Sequence, residues 1–307
     1  MVKYSRCKNS PAVSDKTGCR SRAGCFCGPV TGMRTVAHIS DLHFGRHNVD
    51  VMEDLLSSIQ QGRPDLVVAS GDFTQRARQA EFREARRFLD RIPPSKILIP
   101  GNHDVPLYNL FSRFLRPFRK YERYIAPLDQ PLSFFQDDEI AVLGLNTARR
   151  LTRKNGRLSR TQIGDIPRVF GLVPPHVTKI IVTHHPLALP ETEEPLELAG
   201  RSPLALKAIA HAGIHLLLSG HHHRALSGSV AEVSGAGSIL IVHAGTAIST
   251  RTRGLGGNSY NLIEIAPRQI AVRVFEWING KGFVEARVAS YVFEANRWRR
   301  SRSGSYT

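Results

Sequence analysis

The sequence predicts an α/β fold in which one sheet begins parallel and a second, largely antiparallel part closes the fold. Three observations predict it. Up to about residue 225, short β-rich apolar runs each end in a polar loop, and helical stretches separate the first of them, the order of βαβ crossovers. After residue 225 the β-rich runs follow one another with no room for helices between them. The chain has 307 residues and 41% hydrophobic content, enough for a sizeable core and too apolar for general disorder.

The elements follow from local pattern. Residues 35–40, 66–70 and 96–100 are the first three strands. Between them lie helical stretches at 51–61 and 75–91; in the second, Phe82, Ala85, Phe88 and Leu89 make an apolar stripe and Arg and Glu cover the remainder. Residues 140–145, 179–183 and 214–219 are further short buried strands. The last four runs are 238–242, 260–265, 270–277 and 283–293. The final two alternate by twos (Ala271, Arg273, Phe275; Val284, Ala286, Val288), as half-buried antiparallel strands do.

The net charge of +16 concentrates at the ends. Residues 1–32 carry Lys3, Arg6, Lys8, Lys16, Arg20 and Arg22 against Asp15 alone, and residues 295–307 carry Arg297, Arg299, Arg300 and Arg302 with no acid. Charge in tails is not a shaped binding face, so nucleic acid is not the expected partner. The four cysteines, Cys7, Cys19, Cys25 and Cys27, match no common zinc spacing, and the rest of the chain has none, which fits a reducing compartment. No apolar run reaches the ~18 residues of a spanning helix and the N-terminus lacks a secretory h-region. A cytoplasmic protein is expected. Met33 opens directly onto the first strand. The expected organisation is therefore a disordered extension over 1–32, of the kind an upstream start would add, one domain over 33–294, and a basic tail over 295–307.

Chemistry concentrates at strand ends. Asp41-Leu42-His43 follows the first strand, Gly71-Asp72 the second and Gly101-Asn102-His103-Asp104 the third. His184-His185-Pro186 and Gly220-His221-His222-His223 follow the strands at 179–183 and 214–219. In open α/β sheets the crevice beyond the strand carboxyl ends is where ligands bind. Groups converging there from five strands can hold two divalent or trivalent metals, with Asp72 as the bridge. Nitrogen and oxygen donors without sulfur suit Mn, Fe or Zn. Glycines at 71, 101 and 220 are expected to let the backbone turn sharply beside the ions.

These five blocks, in this order, resemble the calcineurin-like metallophosphoesterase family from Met33 to about Phe293, and within it the bacterial class III 3′,5′-cyclic nucleotide phosphodiesterase group. The resemblance implies a two-sheet mixed β-sandwich flanked by helices. It places Asp41, His43, Asp72 and His223 on one metal, and Asp72, Asn102, His184 and His221 on the other. His184 is preferred to His185 because the family's ligand stands two residues before the proline, and His222 is expected to point away. The implied activity is phosphodiester hydrolysis by metal-activated water, with cyclic AMP the leading substrate. His103 would protonate the leaving oxygen or stabilise the charge on the phosphorane, and Asp104 would orient either His103 or a loop amide. Rival readings are a lipid-linked or nucleotide-sugar pyrophosphatase of the UDP-diacylglucosamine hydrolase type, a nuclease, and a non-catalytic metal-binding scaffold.

Substrate contacts are expected from Asn102, Asn146, Arg149 and Arg251, the last in a loop over 245–251 that would reach the metal face. His38, His47, His176, His211, His215 and His243 read as ordinary core or surface histidines. Leu107, Tyr108, Leu110, Phe111, Phe114, Leu115 and Phe118 form an apolar stripe at helical spacing, with Arg113, Arg116, Arg119 and Lys120 opposite. That stripe is either a helix packed on the core beside the site or a basic amphipathic helix that meets a membrane surface.

Overall fold

A computed structural model describes residues 32–301 apart from 94, 129–132, 153, 191–195, 231–237 and 251–256. The expected extension (all but Gly32), the cysteines and Arg251 lie outside the described residues.

The first half is built from βαβ units: β1 (Arg34–Ile39), α1 (Val49–Gly62), β2 (Leu66–Ala69), α2 (Gln79–Leu89) and β3 (Lys96–Leu98). Asn48 caps α1 by accepting from the amides of Asp50 and Val51. Helix α2 starts four residues later than its apolar pattern suggests, because Glu81 accepts from the amides of Arg76 and Arg78 and holds the preceding turn. After a 3₁₀ turn at Asn102–Asp104 come α3 (Leu110–Leu115), α4 (Arg119–Tyr124), β4 (Phe134–Gln136), β5 (Ile140–Leu145), α5 (Arg160–Phe170), β6 (Thr178–Thr183), α6 (Ser202–His211) and β7 (Leu216–Ser219). The chain ends in β8 (Leu226–Val230), β9 (Ile239–His243), β10 (Ser259–Ala266), β11 (Gln269–Ile278), β12 (Gly282–Glu294) and β13 (Arg297–Arg300).

Two mixed sheets result, ordered β13-β12-β11-β10-β1-β2-β3 and β4-β5-β6-β7-β9-β8. Alternation along each strand assigns its faces. Val36, Leu66 and Val68 of the first sheet meet Val142, Val182 and Leu218 of the second in one buried cluster between the sheets. Their neighbours Ala37, Val67 and Ala69 face α1 and α2, whereas Leu143, Ile181 and Leu217 face α5 and α6. The layers are therefore helix, sheet, sheet, helix. Strands β1, β2 and β3 are mutually parallel, as are β5, β6, β7 and β9, so the carboxyl ends of the donor-bearing strands emerge together within each sheet.

Three expectations are corrected. The antiparallel strands β10 to β12 do not close the fold as a separate part; β10 pairs with β1 and extends the first sheet. Residues 297–300, expected as part of a basic tail, form β13, in which Trp298 opposes Phe293 of β12 and is 4% exposed. Ala295 and Asn296, both at positive φ (47° and 62°), make the two-residue turn that right-twisted hairpins favour. A single aromatic among arginines anchors the strand. The stripe over 107–118 is not one helix. Pro117 cannot continue the hydrogen-bond ladder, so α3 and α4 are separate, and the two halves face opposite ways. Tyr121 is buried and Phe118 packs on the core, but Phe111 is 77% exposed.

Candidate metal centre

The donor residues sit where β1, β2, β3, β6 and β7 end, and the backbone there is unusual. Asp41, His43, Asp72, His221 and His223 all have positive φ, between 49° and 71°. Side-chain-bearing residues rarely adopt this region, and where they do the surrounding structure must enforce it. Backbone bonds do so here: Asp41 N donates to Gly71 O (3.1 Å), and His43 N donates to Asp72 O (2.9 Å). Gly71 has φ +95° and turns the chain as expected. Gly101 does not have positive φ; it is glycine because any Cβ would strike the Asp72 carboxylate.

Asp72 lies at the centre. Its Oδ2 is 3.7 Å from His43 Nε2 and 3.4 Å from His184 Nε2, while its Oδ1 accepts from the amide of His103 (2.8 Å). On one side, Asp41 Oδ1 is 3.6 Å from His43 Nε2 and 3.4 Å from His223 Nε2. The other Asp41 oxygen is occupied by the Ser40 hydroxyl (2.7 Å) and the His221 amide (3.0 Å). On the other side, Asn102 Oδ1 is 3.2 Å from His184 Nε2. His184 Nδ1 donates to Ser70 O (2.6 Å), which turns Nε2 toward Asp72. His221 groups with His184, its ring centroid 5.2 Å away.

Two donor clusters thus share Asp72, one containing Asp41, His43 and His223 and the other Asn102, His184 and His221. His185 also falls near His184 and His221, but its ring is committed: Nε2 donates to Lys154 O (2.7 Å), so Nδ1 is the nitrogen that accepts from Thr147 Oγ1 (2.8 Å). His222, expected to point away, lines the same cavity as its neighbours.

The residues present fit a cation. Asp41 Oδ1 and both ring nitrogens of His43 are buried without a hydrogen-bond partner. A carboxylate oxygen and an imidazole left so are costly unless something positive meets them. Protonation states agree. Burial would raise the Asp41 carboxyl, but His223 and His43 outweigh it and hold it below the usual carboxylate range. Asp72 is held well below that range by His184 and His103 against the same burial. His184 is buried too, yet Asp72 raises it to about 9. Burial pushes His221 down to about 3. Metal ligation needs ionised carboxylates and neutral imidazoles, so a bound cation would take the place of the proton that Asp72 holds on His184.

His103 lines the cavity with its ring 4.8 Å from that of His43, and it too groups with His43 and Asp72. Its Nδ1 donates to Gln75 O (2.8 Å). Asp104 does not touch the His103 ring. Its carboxylate accepts from the amides of Gly101 (2.9 Å), Thr74 (2.9 Å) and Phe73 (3.2 Å) and from the Thr74 hydroxyl (3.0 Å). Its partners are loop amides, and through them Asp104 clasps the turn after β2 to the turn after β3. Burial and Asp72 raise it to about 6 despite those donors.

Asn146 and Arg149 are corrected. Asn146 Oδ1 accepts from Ala148 N, and Arg149 donates to Ala148 O and to Gln162 of α5. Neither lines the cavity. An arginine near the end of a strand resembles a phosphate ligand in sequence; here it closes the start of a helix. The 245–251 loop does reach the cluster, through Thr246, whose hydroxyl meets His223 Nδ1. The cavity itself has a volume of 530 Å³, and sequence reasoning missed much of its wall: Gln75, Arg76, Lys154, Leu196 and Glu197. Arg76 lies over the Tyr108 ring at 5.8 Å. Arg76 stands four residues after Asp72, a signal within reach of the sequence; nothing local marks Lys154 or Glu197.

Residues 34–225, more than half of the chain, match the calcineurin-like phosphoesterase family model, and the chain belongs to that family. It stands among the metal-dependent phosphoester hydrolases. A probable cyclic nucleotide phosphodiesterase of Synechococcus is 26% identical over 62% of this chain and 74% of its own length. A glycerophosphodiester phosphodiesterase of Enterobacter lignolyticus is 39% identical, but the match spans only 27% of this chain and 33% of that relative. In structure, a dimetal phosphatase from Danio rerio superposes with TM-score 0.58 at 14% identity, covering 85% of this chain and 99% of that one. A purple acid phosphatase from yellow lupin (Lupinus luteus) seeds gives TM-score 0.59 at 9% identity, covering 85% and 54%. Both show the fold. Among the described residues no helix is long and apolar enough to cross a membrane.

Proposed function

We propose that this chain is a dinuclear-metal phosphodiesterase whose substrate is a 3′,5′-cyclic nucleotide. The observation that carries the reading is the pair of donor clusters joined through Asp72, which lines a cavity together with His103. Asp41, His43, Asp72 and His223 would hold one ion, and Asp72, Asn102, His184 and His221 the other; Mn, Fe and Zn suit the donors. Bound there, two ions supply positive charge to phosphoryl oxygens and lower the pKa of an attacking water.

The chain's own residues do the rest. Gln75 O accepts the Nδ1 proton of His103, which leaves Nε2 as the nitrogen that can carry a proton for transfer. From there it passes to the departing ribose oxygen as the phosphorus–oxygen bond breaks. A ribose oxygen is a poor leaving group, so this proton matters more than it would for an aryl ester. Asp72 accepts the His103 amide and so ties the acid to the donor cluster. Arg76 and Lys154 provide cations for phosphate oxygens, and Tyr108, Leu107 and Leu196 an apolar wall for a base. The likeness to a probable cyclic nucleotide phosphodiesterase supports the same substrate. The complete donor set with His103 argues against a non-catalytic scaffold.

The test is hydrolysis of cyclic AMP by Mn²⁺-loaded protein, with bis(p-nitrophenyl) phosphate alongside. Turnover of both is expected. Cleavage of the aryl diester alone would overturn the nucleotide assignment and turn attention to glycerophosphodiesters and lipid-linked pyrophosphates.

A further inference from the structure

The segment from 107 to 123 inverts ordinary amphipathic design. Leu107, Tyr108, Phe111, Phe114 and Leu115 are 40%, 72%, 77%, 42% and 64% exposed, whereas Arg113 between them is 5% exposed. Scattered apolar side chains on a surface are normal, but here five stand exposed within nine residues. The arrangement is held in place. Arg113 donates to Pro106 O (3.0 Å) and Thr152 O (2.9 Å), and Arg150 donates to Phe114 O (2.8 Å). Helix α3 cannot turn its apolar side inward without breaking these bonds.

Beside the patch runs a groove of 490 Å³, lined by Phe111, Leu115 and Pro117 together with Arg116, Arg119 and Arg123, and by no carboxylate. Those three arginines are exposed. Lys120 is tied to Ala77 O (2.8 Å), and Glu122 is the one acid between residues 105 and 125. A second copy of the chain is a poor occupant, because a two-fold contact would bring the same arginines together. An anionic surface with apolar depth beneath it matches both halves of the pattern: arginines on the rim, aromatic and aliphatic side chains at the centre.

We propose that this segment docks the protein onto the surface of an anionic phospholipid bilayer. Phe111 and Leu115 enter below the headgroups, and Arg116, Arg119 and Arg123 meet the lipid phosphates. Leu107 and Tyr108 also line the metal-site cavity, so the cavity mouth borders the docking face. The docking is independent of which phosphodiester is cleaved.

The experiment is co-sedimentation of the full chain with phosphatidylcholine vesicles, with and without phosphatidylglycerol, for the wild type and for Phe111→Ser/Leu115→Ser. Both positions lie on the surface and outside the metal-site cavity. Circular dichroism and bound metal, unchanged in the double variant, report an intact fold. The wild type is expected to bind the anionic vesicles, and the double variant to bind roughly tenfold or more weakly. Equal binding by both proteins would assign the vesicle contact to the basic ends and overturn the proposal. Absence of wild-type binding would overturn it too, as would a wild-type dimer, dissolved in the double variant, that leaves vesicle binding unaltered.

Discussion

The strand-end turns and the 107–115 segment border the same cavity, and burial is arranged oppositely in them. In the turns, charged and polar side chains are inside: Asp41 and His43 are fully buried, and the backbone adopts positive φ to aim them at one another. In the segment, apolar side chains are outside, and a buried arginine on two carbonyl oxygens keeps them there. Both regions depart from what composition alone favours, and in both a specific set of hydrogen bonds holds the departure. Such agreement between a local cost and a compensating network marks places kept for function rather than stability. The neighbouring sheet interior, where Val36, Val68 and Val182 follow plain alternation, shows no such compensation.

The sharpest way to break this contrast is at Asp72, whose Oδ2 serves both donor clusters. Asp72→Ala is expected to lower turnover on the order of 10³-fold or more and to lower bound metal per chain, read by elemental analysis. Full metal occupancy in that variant would contradict the shared role. Next comes His103→Ala, expected to keep its metal while losing roughly 10²–10⁴-fold in kcat. The loss should be larger for alkyl than for aryl leaving groups; equal losses would exclude His103 as the general acid.

Asp104→Ala separates clasp from catalyst. Removing the carboxylate leaves the Gly101, Phe73 and Thr74 amides without their partner, at about 1–3 kcal/mol for each that finds no other. A lowered melting temperature is expected together with lost activity. Lost activity at unchanged stability would return Asp104 to a direct catalytic role. The double substitution at Phe111 and Leu115 should alter neither quantity, since both side chains stand in solvent.

The smallest effect is a pH dependence. His215 Nδ1 accepts from Lys179 N (3.0 Å), which requires the neutral ring, and burial lowers its pKa to about 4. His38 and His243, buried likewise, are lowered to about 3. A depressed histidine pKa contributes stability that is complete above about 6.5 and is lost as pH falls through the folded value. The urea midpoint should therefore decline from pH 6.5 toward 4, and more shallowly in His215→Gln. An equally steep decline in that variant would remove His215 from the account.

Much of the fold is legible in the order of residues. Strands β1, β2, β5 and β6 lie within a residue of their apolar runs, because period-two burial between two layers leaves a direct imprint on sequence. The donor residues are visible because each stands within a few residues of the end of a strand. Less visible are features set by partners far along the chain. Arg149 has the appearance of a phosphate ligand until Gln162 of α5 is beside it. Trp298 has the appearance of a tail residue until it opposes Phe293.

Residue type and spacing alone therefore decided that hard nitrogen and oxygen donors would stand at five strand ends, since alternation places the strands and glycine marks the turns. Which donors share Asp72, which ring of His184 and His185 turns a nitrogen toward it, and which side of α3 faces solvent were decided in three dimensions. Each depends on a hydrogen bond to a distant backbone oxygen: Ser70 for His184, Lys154 for His185, Thr152 for Arg113. A backbone oxygen carries no side-chain signature, so its partner can be read only once the chain has brought the two together.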